Sequence, residues 1–288
     1  MTILVTAASG HLGRLVVDAL LRRGVAPSDV VATARKPEAL AELADRGVEV
    51  RRADYDDPAS LDTAFAGVDR LLFVSGSEVG SRIPQHRNVV DAAVRAGVGL
   101  VAYTSITRAD TSELALATEH RATEEMIEAS GLAHVFLRNS WYLENYTGQL
   151  PTYLEHGAVI GSAGDGRVSA ATRADYAEAA AAVLAEDGHG GRAYELGGTA
   201  FTLAELAATV ARVSGTEVVY RDLSVEDYAA ALVAAGLPEG YAHALADSDR
   251  GIAAGALFTD TGDLERLIGR PTTTLEDAVR AALPAGVR

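Results

Sequence analysis

Two patterns alternate along the chain: short apolar runs rich in β-branched residues, and longer stretches with apolar residues at helical spacing. Thr2-Ile3-Leu4-Val5-Thr6 reads as a buried strand. The small-residue stretch Ala7-Ala8-Ser9-Gly10-His11-Leu12-Gly13 follows it. A helix comes next, apolar at Leu12, Leu15, Val16, Ala19 and Leu20, with Gly24 at its C-terminal end. Strand, small-residue turn and helix start make the geometry of a dinucleotide pyrophosphate site. There a helix N-terminus offers free N–H groups and a positive dipole end to phosphate. The full fingerprint has three glycines, and here Ala7 stands in the first place, leaving Gly10 and Gly13. A βα turn that merely packs tightly is the plainer alternative.

The same rhythm continues. Val30-Val31-Ala32-Thr33 predicts a second strand, with a helix from Pro37. Val48-Glu49-Val50 predicts a third strand, and the run 69–74 contains a fourth. A helix over 83–96 ends at Gly97, and strands follow at 100–103 and 133–137 with a helix between them. Such units imply an α/β fold: a Rossmann-type, doubly wound parallel sheet with helices on both faces. Ligands of these sheets bind beyond the carboxyl ends of the strands.

After about residue 148 glycine-rich loops and short helices take over, so residues 1–148 read as the nucleotide-binding domain. Residues 149–288 read as a smaller, interleaved α/β substrate or lid domain. The alanine-rich helix at about 173–186 and the strand at about 193–196 are expected to return to the first domain. Thr172-x-x-Asp175, Thr202-x-x-Glu205 and Thr273-x-x-Glu276 each predict a helix start.

Composition narrows the class. The chain has 288 residues, 48% hydrophobic and 23% charged, which describes an ordinary globular protein. A formal charge of −15 argues against a nucleic-acid partner. With no cysteine there is no disulfide, thiolate zinc site, iron–sulfur cluster or thiol nucleophile, and no metal site is expected. No membrane span or signal peptide is read from the sequence, so the expectation is a cytoplasmic monomer or homodimer.

The polar residues that follow strands carry the chemistry. Arg35, after the second strand, suits a 2′-phosphate and hence NADP, where an acidic residue would suit NAD; a solvated arginine is the alternative. Asp54, beyond the third strand, is placed near the adenine amino group. Ser75, Gly76 and Ser77 follow the fourth strand, over the expected nicotinamide ribose, and Tyr103, Thr104 and Ser105 end the fifth. Arg138, Asn139, Ser140, Trp141 and Tyr142, continuing to Asn145 and Tyr146, follow the sixth. That aromatic and amide wall suits a planar substrate beside a nicotinamide, although Trp141 alone would equally serve as an inter-domain plug.

Several segments together resemble the quinone-reducing branch of the NmrA-like atypical short-chain dehydrogenases/reductases. They are 6–13, Arg35, Ala53-Asp54-Tyr55, Ser77-Glu78-Val79-Gly80, Pro84-Gln85-His86-Arg87-Asn88 and Ala102-Tyr103-Thr104-Ser105. Leu137-Arg138-Asn139-x-Trp141-Tyr142-x-Glu144-Asn145-Tyr146, Thr172-Arg173-Ala174-Asp175-Tyr176, 245–249 and 267–275 complete the set. Triphenylmethane reductase is a near relative of that branch. The resemblance implies NADPH held by Thr6, Ala7, Ala8, Ser9, Gly10, His11 and Leu12, with Arg35 on the 2′-phosphate. It places Arg173 among the cofactor residues and a quinone over the nicotinamide near Tyr142 and Asn145, oriented also by Asn139.

Two departures stand out. Ala7 replaces the family's first glycine. The usual tyrosine–lysine pair is replaced by Leu116 and His120 at the matching spacing. Carbonyl reduction needs an acid for a basic alkoxide, whereas hydride addition to a quinone makes a phenolate that water protonates. His120 remains as an optional acid, against the alternative of an exposed helix histidine. The expected activity is two-electron reduction of a quinone by NADPH, resting on positioning. The alternatives are an NADP(H)-sensing regulatory protein without turnover and a reductase of another planar electrophile, such as a triphenylmethane dye.

Overall fold

The computed structural model describes residues 1–78 and 80–283. Its first half alternates β1 (Ile3–Val5), α1 (His11–Arg22), β2 (Val30–Ala34), α2 (Ala41–Asp45), β3 (Glu49–Arg52), α3 (Pro58–Phe65) and β4 (Arg70–Phe73). α4 (Arg82–Ala96), β5 (Leu100–Ile106), α5 (Ala115–Ala129) and β6 (His134–Asn139) complete that half. The second half holds α6 (Glu144–Thr147), α7 (Leu150–His156), β7 (Ala158–Gly161), α8 (Arg173–Ala185), β8 (Arg192–Leu196) and α9 (Leu203–Ser214). β9 (Val219–Asp222), α10 (Val225–Ala234), α11 (Glu239–Ala253), α12 (Asp263–Ile268) and α13 (Leu275–Ala282) follow.

Seven strands form one parallel sheet in the order β3-β2-β1-β4-β5-β6-β8. The direction of winding reverses at β1, where Leu4 pairs with Val31 on one side and Leu71 on the other. That reversal opens a crevice beyond the carboxyl ends of β1 and β4. Because both faces are covered, β1 and β2 are buried along their whole length; β3, at the edge, keeps Glu49 and Arg52 exposed.

α1 and α8 cover one face, packing Val16, Leu20, Ala180 and Leu184 over Ile3 and Val5. α3, α4 and α5 cover the other, over Phe73, Tyr103 and Phe136. α8 has no polar side because α1, α12 and the sheet enclose it: Tyr176, Ala177 and every residue from Ala179 to Leu184 are buried. β8 joins the sheet beside β6, pairing Leu137 with Tyr194. A second core, around Tyr146, Val159, Leu206 and Val210, gathers residues of the second half with Ile106 and Ala117 of the first, and β7 and β9 form a separate parallel pair.

Two element starts differ from the sequence expectation. The helix expected from Pro37 is a tight 3₁₀ turn over Pro37–Leu40 that leads into the five-residue α2. α13 starts one residue later than Thr273-x-x-Glu276 predicts: Thr274 is the cap and bonds the Asp277 N–H. The Thr273 N–H is already committed to the buried carboxylate of Asp175, 3.0 Å away, which also pairs with Arg270. Thr172 and Thr202 cap α8 and α9 as read, the latter with a reciprocal Glu205 bond. Among the described residues no helix is long and apolar enough to cross a membrane.

α11 carries a buried carboxyl group. Asp249 accepts the Ser162 N–H at 2.8 Å and is otherwise held in an apolar, tyrosine-rich surround. Burial, reinforced by nearby Asp222, pushes its carboxyl up to about 6. The folded state therefore holds this proton more tightly than the unfolded chain does. Stability is greatest below about pH 4 on this account and falls as pH rises toward 6. Asp249→Asn, whose carbonyl still accepts from Ser162, should flatten that dependence. It should also gain on the order of 2 kcal/mol at neutral pH, read as the difference in melting temperature between pH 5 and pH 8.

Candidate functional site

The turn after β1 is shaped by a single unusual residue. Ala7 has φ +49°, the left-handed region that glycine enters without cost and alanine does not. The bend is held from both sides: Ala8 N donates to Thr33 O at 2.8 Å and Gly10 N to Ala7 O at 2.9 Å. α1 then starts at His11 with Gly10 as N-cap and no side-chain cap, so its first N–H groups face the crevice free. Gly13 lets α1 press against the turn, because a Cβ there would fall 2.6 Å from the Ala7 carbonyl oxygen.

A cleft of about 430 Å³ opens from this helix end. Ala7, Ser9, Gly10, His11, Leu12, Arg35, Asp54, Ser75, Gly76, Ser77, Tyr142 and Arg173 all line it, so most of the cofactor set read from sequence is brought together. Arg35 stands exposed at the end near β2 and β3. At the other end the Arg173 guanidinium lies 4.4 Å over the Tyr142 ring and donates to Asn145 Oδ1 at 3.1 Å. Burial raises the Tyr142 hydroxyl above its usual range, against Arg173 and Asn139, which favour ionisation. Asn139 Oδ1 and Ser105 Oγ are buried polar atoms without a protein partner.

Other predicted residues do not line the cleft; they build its walls. Thr6 is fully buried, and its hydroxyl donates to Leu72 O, accepts from Val74 N and lies 2.6 Å from the Tyr55 hydroxyl. Ala8 is packed into the core beneath the turn. Thr104 uses its hydroxyl to accept Ser75 N–H at 2.9 Å. Arg138 turns away: it grips Glu124 with two nitrogens at 3.0 and 2.7 Å and reaches Glu195 and Asp110 at 3.1 Å each. Ser140 Oγ donates to Leu257 O, and Trp141 packs against the core around Tyr146 and Leu206. Val79 lies outside the described residues.

His120 is not the exposed helix histidine considered as an alternative. It is buried, with Nδ1 2.9 Å from the Tyr103 hydroxyl and Nε2 3.5 Å from the Arg82 guanidinium. Burial, then the neighbouring Arg82 guanidinium and His86 ring, drive it well below its usual range, so it is neutral. Tyr103, also fully buried, belongs to the same cluster. His86 is held down to about 3 by burial and Arg82; it accepts Gly76 N–H at Nε2, 3.0 Å, and directs Nδ1 to Thr123 at 2.8 Å. Glu119 accepts Gly80 N–H at 2.9 Å. The loop after β4 is thereby tied down through its main chain at Ser75, Gly76 and Gly80.

Sequence reasoning missed Ala34, Ala53, Tyr55, Asp56, Val74, Glu78 and Gln85 as individual cleft residues, although it had named Gly13 in the turn. Tyr55, Glu78 and Gln85 stood within the quoted segments, and that was the available signal.

The NmrA-like family model matches residues 1–277. The chain is 52% identical over 278 residues to Escherichia coli quinone oxidoreductase 2, covering 96% of this chain and 97% of that protein. It superposes with TM-score 0.95 on an Escherichia coli NADPH-dependent quinone oxidoreductase crystallised with NADPH, at 52% identity over 97% and 99% of the two chains. It also superposes with TM-score 0.94 on Citrobacter sp. triphenylmethane reductase complexed with NADP(H). There the identity is 41%, covering 98% of this chain and 100% of that one.

Proposed function

This chain belongs to the NmrA-like family, and we propose that it is an NADPH-dependent oxidoreductase that reduces quinones by two electrons. One observation carries the reading: an uncapped helix N-terminus feeds a cleft with Arg35 at one end and Tyr142 with Arg173 at the other. The turn at Ala7 and Gly13 fits a pyrophosphate against α1, since only small residues leave the backbone that accessible. When bound, the reduced nicotinamide supplies hydride.

The chain's own groups do the rest. Arg35 pairs with the 2′-phosphate. Ser75, Gly76 and Ser77 border the nicotinamide end. Tyr142, Asn145 and Asn139 orient the planar acceptor, and the Arg173 cation offsets the charge that develops on the quinone oxygen. His120, neutral and hydrogen-bonded within the wall, acts as support; water protonates the phenolate product. The substrate is a small molecule, and a net charge of −15 argues against a nucleic-acid partner. We place the enzyme, as a monomer or homodimer, in the cytoplasm, where reduced nicotinamide is supplied.

The test follows the loss of reduced-nicotinamide absorbance with benzoquinones and naphthoquinones. A triphenylmethane dye belongs in the panel because of the likeness to triphenylmethane reductase. Quinone-dependent turnover supports the proposal, and NADPH binding with no acceptor reduced would sink it. Arg35→Ala should weaken NADPH by roughly 10- to 100-fold, the worth of a lost charge-assisted hydrogen bond, and leave NADH affinity alone. Titration of both nucleotides checks it.

A further inference from the structure

The acidic partner of Arg35 bears on how the cleft selects its nucleotide. Glu78 Oε1 lies 3.1 Å from Arg35 Nη1. Its second oxygen accepts from Gln85 Nε2 at 3.0 Å, and the same amide nitrogen donates to Asp56 Oδ2 at 3.0 Å. Arg35, Glu78, Gln85 and Asp56 thus form a chain of contacts across the cleft, and all four line it. Glu78 is not a freely waving side chain. Gly76 and Gly80 on either side of it are fastened to His86 and Glu119 through their N–H groups. Gln85, which steadies its carboxylate, is itself buried.

An arginine that receives a 2′-phosphate is therefore already occupied by a carboxylate on a tethered arch. We propose that Glu78 is a specificity-determining residue: it fills the 2′-phosphate position on Arg35 and competes with NADPH, but not with NADH, for that guanidinium. This rests on the reading of Arg35 given above. NADPH must displace Glu78, whereas a 2′-hydroxyl carries no charge to displace it and leaves the pair intact. The same competition speeds the departure of NADP⁺, because Glu78 returns to Arg35 as the phosphate leaves. Glu78 so narrows the gap between the two nucleotides that Arg35 creates.

The experiment is a set of equilibrium titrations of NADPH and NADH against wild type, Glu78→Gln, Arg35→Ala and the double variant. Glutamine keeps an acceptor for Gln85 and removes the charge, so the arch stays in place. Glu78→Gln should lower the Kd for NADPH about threefold, in line with displacing an exposed ion pair. It should leave NADH unchanged, and the gain should vanish on the Arg35→Ala background. Equal tightening of both nucleotides would overturn the proposal, because Glu78 would then act only through the general negative field it shares with Asp54 and Asp56. Weaker NADPH binding would overturn it by making Glu78 a cofactor ligand, and no change would show that the pair does not compete. Arg35→Ala alone reports on the underlying reading: if it leaves NADPH binding intact, the fault lies there.

Discussion

Gly13→Ala is expected to abolish NADPH binding and to destabilise the whole nucleotide-binding half. The added Cβ would sit 2.6 Å from the Ala7 carbonyl oxygen and 2.9 Å from Ala7 C and Ala8 Cα. These are backbone atoms of a turn that has no slack: Ala7 already lies at φ +49°, and β1 is clamped between β2 and β4. Relief requires α1 to move away from the turn, which breaks its packing on α8 and takes its N–H groups off the phosphates. Overpacking of this kind costs roughly 3 kcal/mol, and loss of the helix end removes the pyrophosphate contacts altogether. The measurement is the rise in melting temperature that NADPH produces, large in wild type and absent in the variant. Gly10→Ala, whose Cβ meets the same oxygen at a milder 3.3 Å, should disturb the fold less. If Gly13→Ala keeps the full NADPH-induced rise, the turn is not the pyrophosphate site.

The second large effect concerns Arg138, which the sequence assigns to the cofactor and the structure places among carboxylates. Replacing Arg138 with Met leaves Glu124 buried with no counter-charge, and strands Glu195 and Asp110 beside it. Removing one partner of a buried pair costs about 3–5 kcal/mol, chiefly through the charge left behind. Urea unfolding should register that loss, and the double variant Arg138→Met with Glu124→Leu should recover a large part of it. NADPH affinity, measured on the protein that remains folded, should be unchanged. A selective loss of NADPH affinity with intact stability would return Arg138 to the cofactor.

The nucleotide half was legible because its signals are local. Buried strands read as apolar runs, and Arg35 and Ser75-Gly76-Ser77 fall just past strand ends, where parallel sheets present their ligands. What stayed hidden depends on which way a side chain faces. Arg138 lies within β6 rather than after it, and the alternation of the strand turns it toward α5 and β8. Thr6 and Ala8 flank the turn yet point into the sheet. His120 eluded the helical pattern because the buried face of α5 is mixed: Glu119, His120, Thr123 and Glu124 share it with Ala117 and Ile127, and a search for apolar periodicity passes over such a face. Ala7 is recognisable in sequence as a missing glycine, but its left-handed backbone is a property of the folded turn alone.

The loop after β4 is fastened by main-chain N–H groups, each given to a side chain from elsewhere in the fold: Ser75 to Thr104, Gly76 to His86 and Gly80 to Glu119. Its path is written in residues outside the loop. Ser75 and Ser77, which line the cleft, are therefore spared the task of holding that path with their side chains. Changing Ser75 or Ser77 should reshape the cleft while Thr104, His86 and Glu119 keep the scaffold constant.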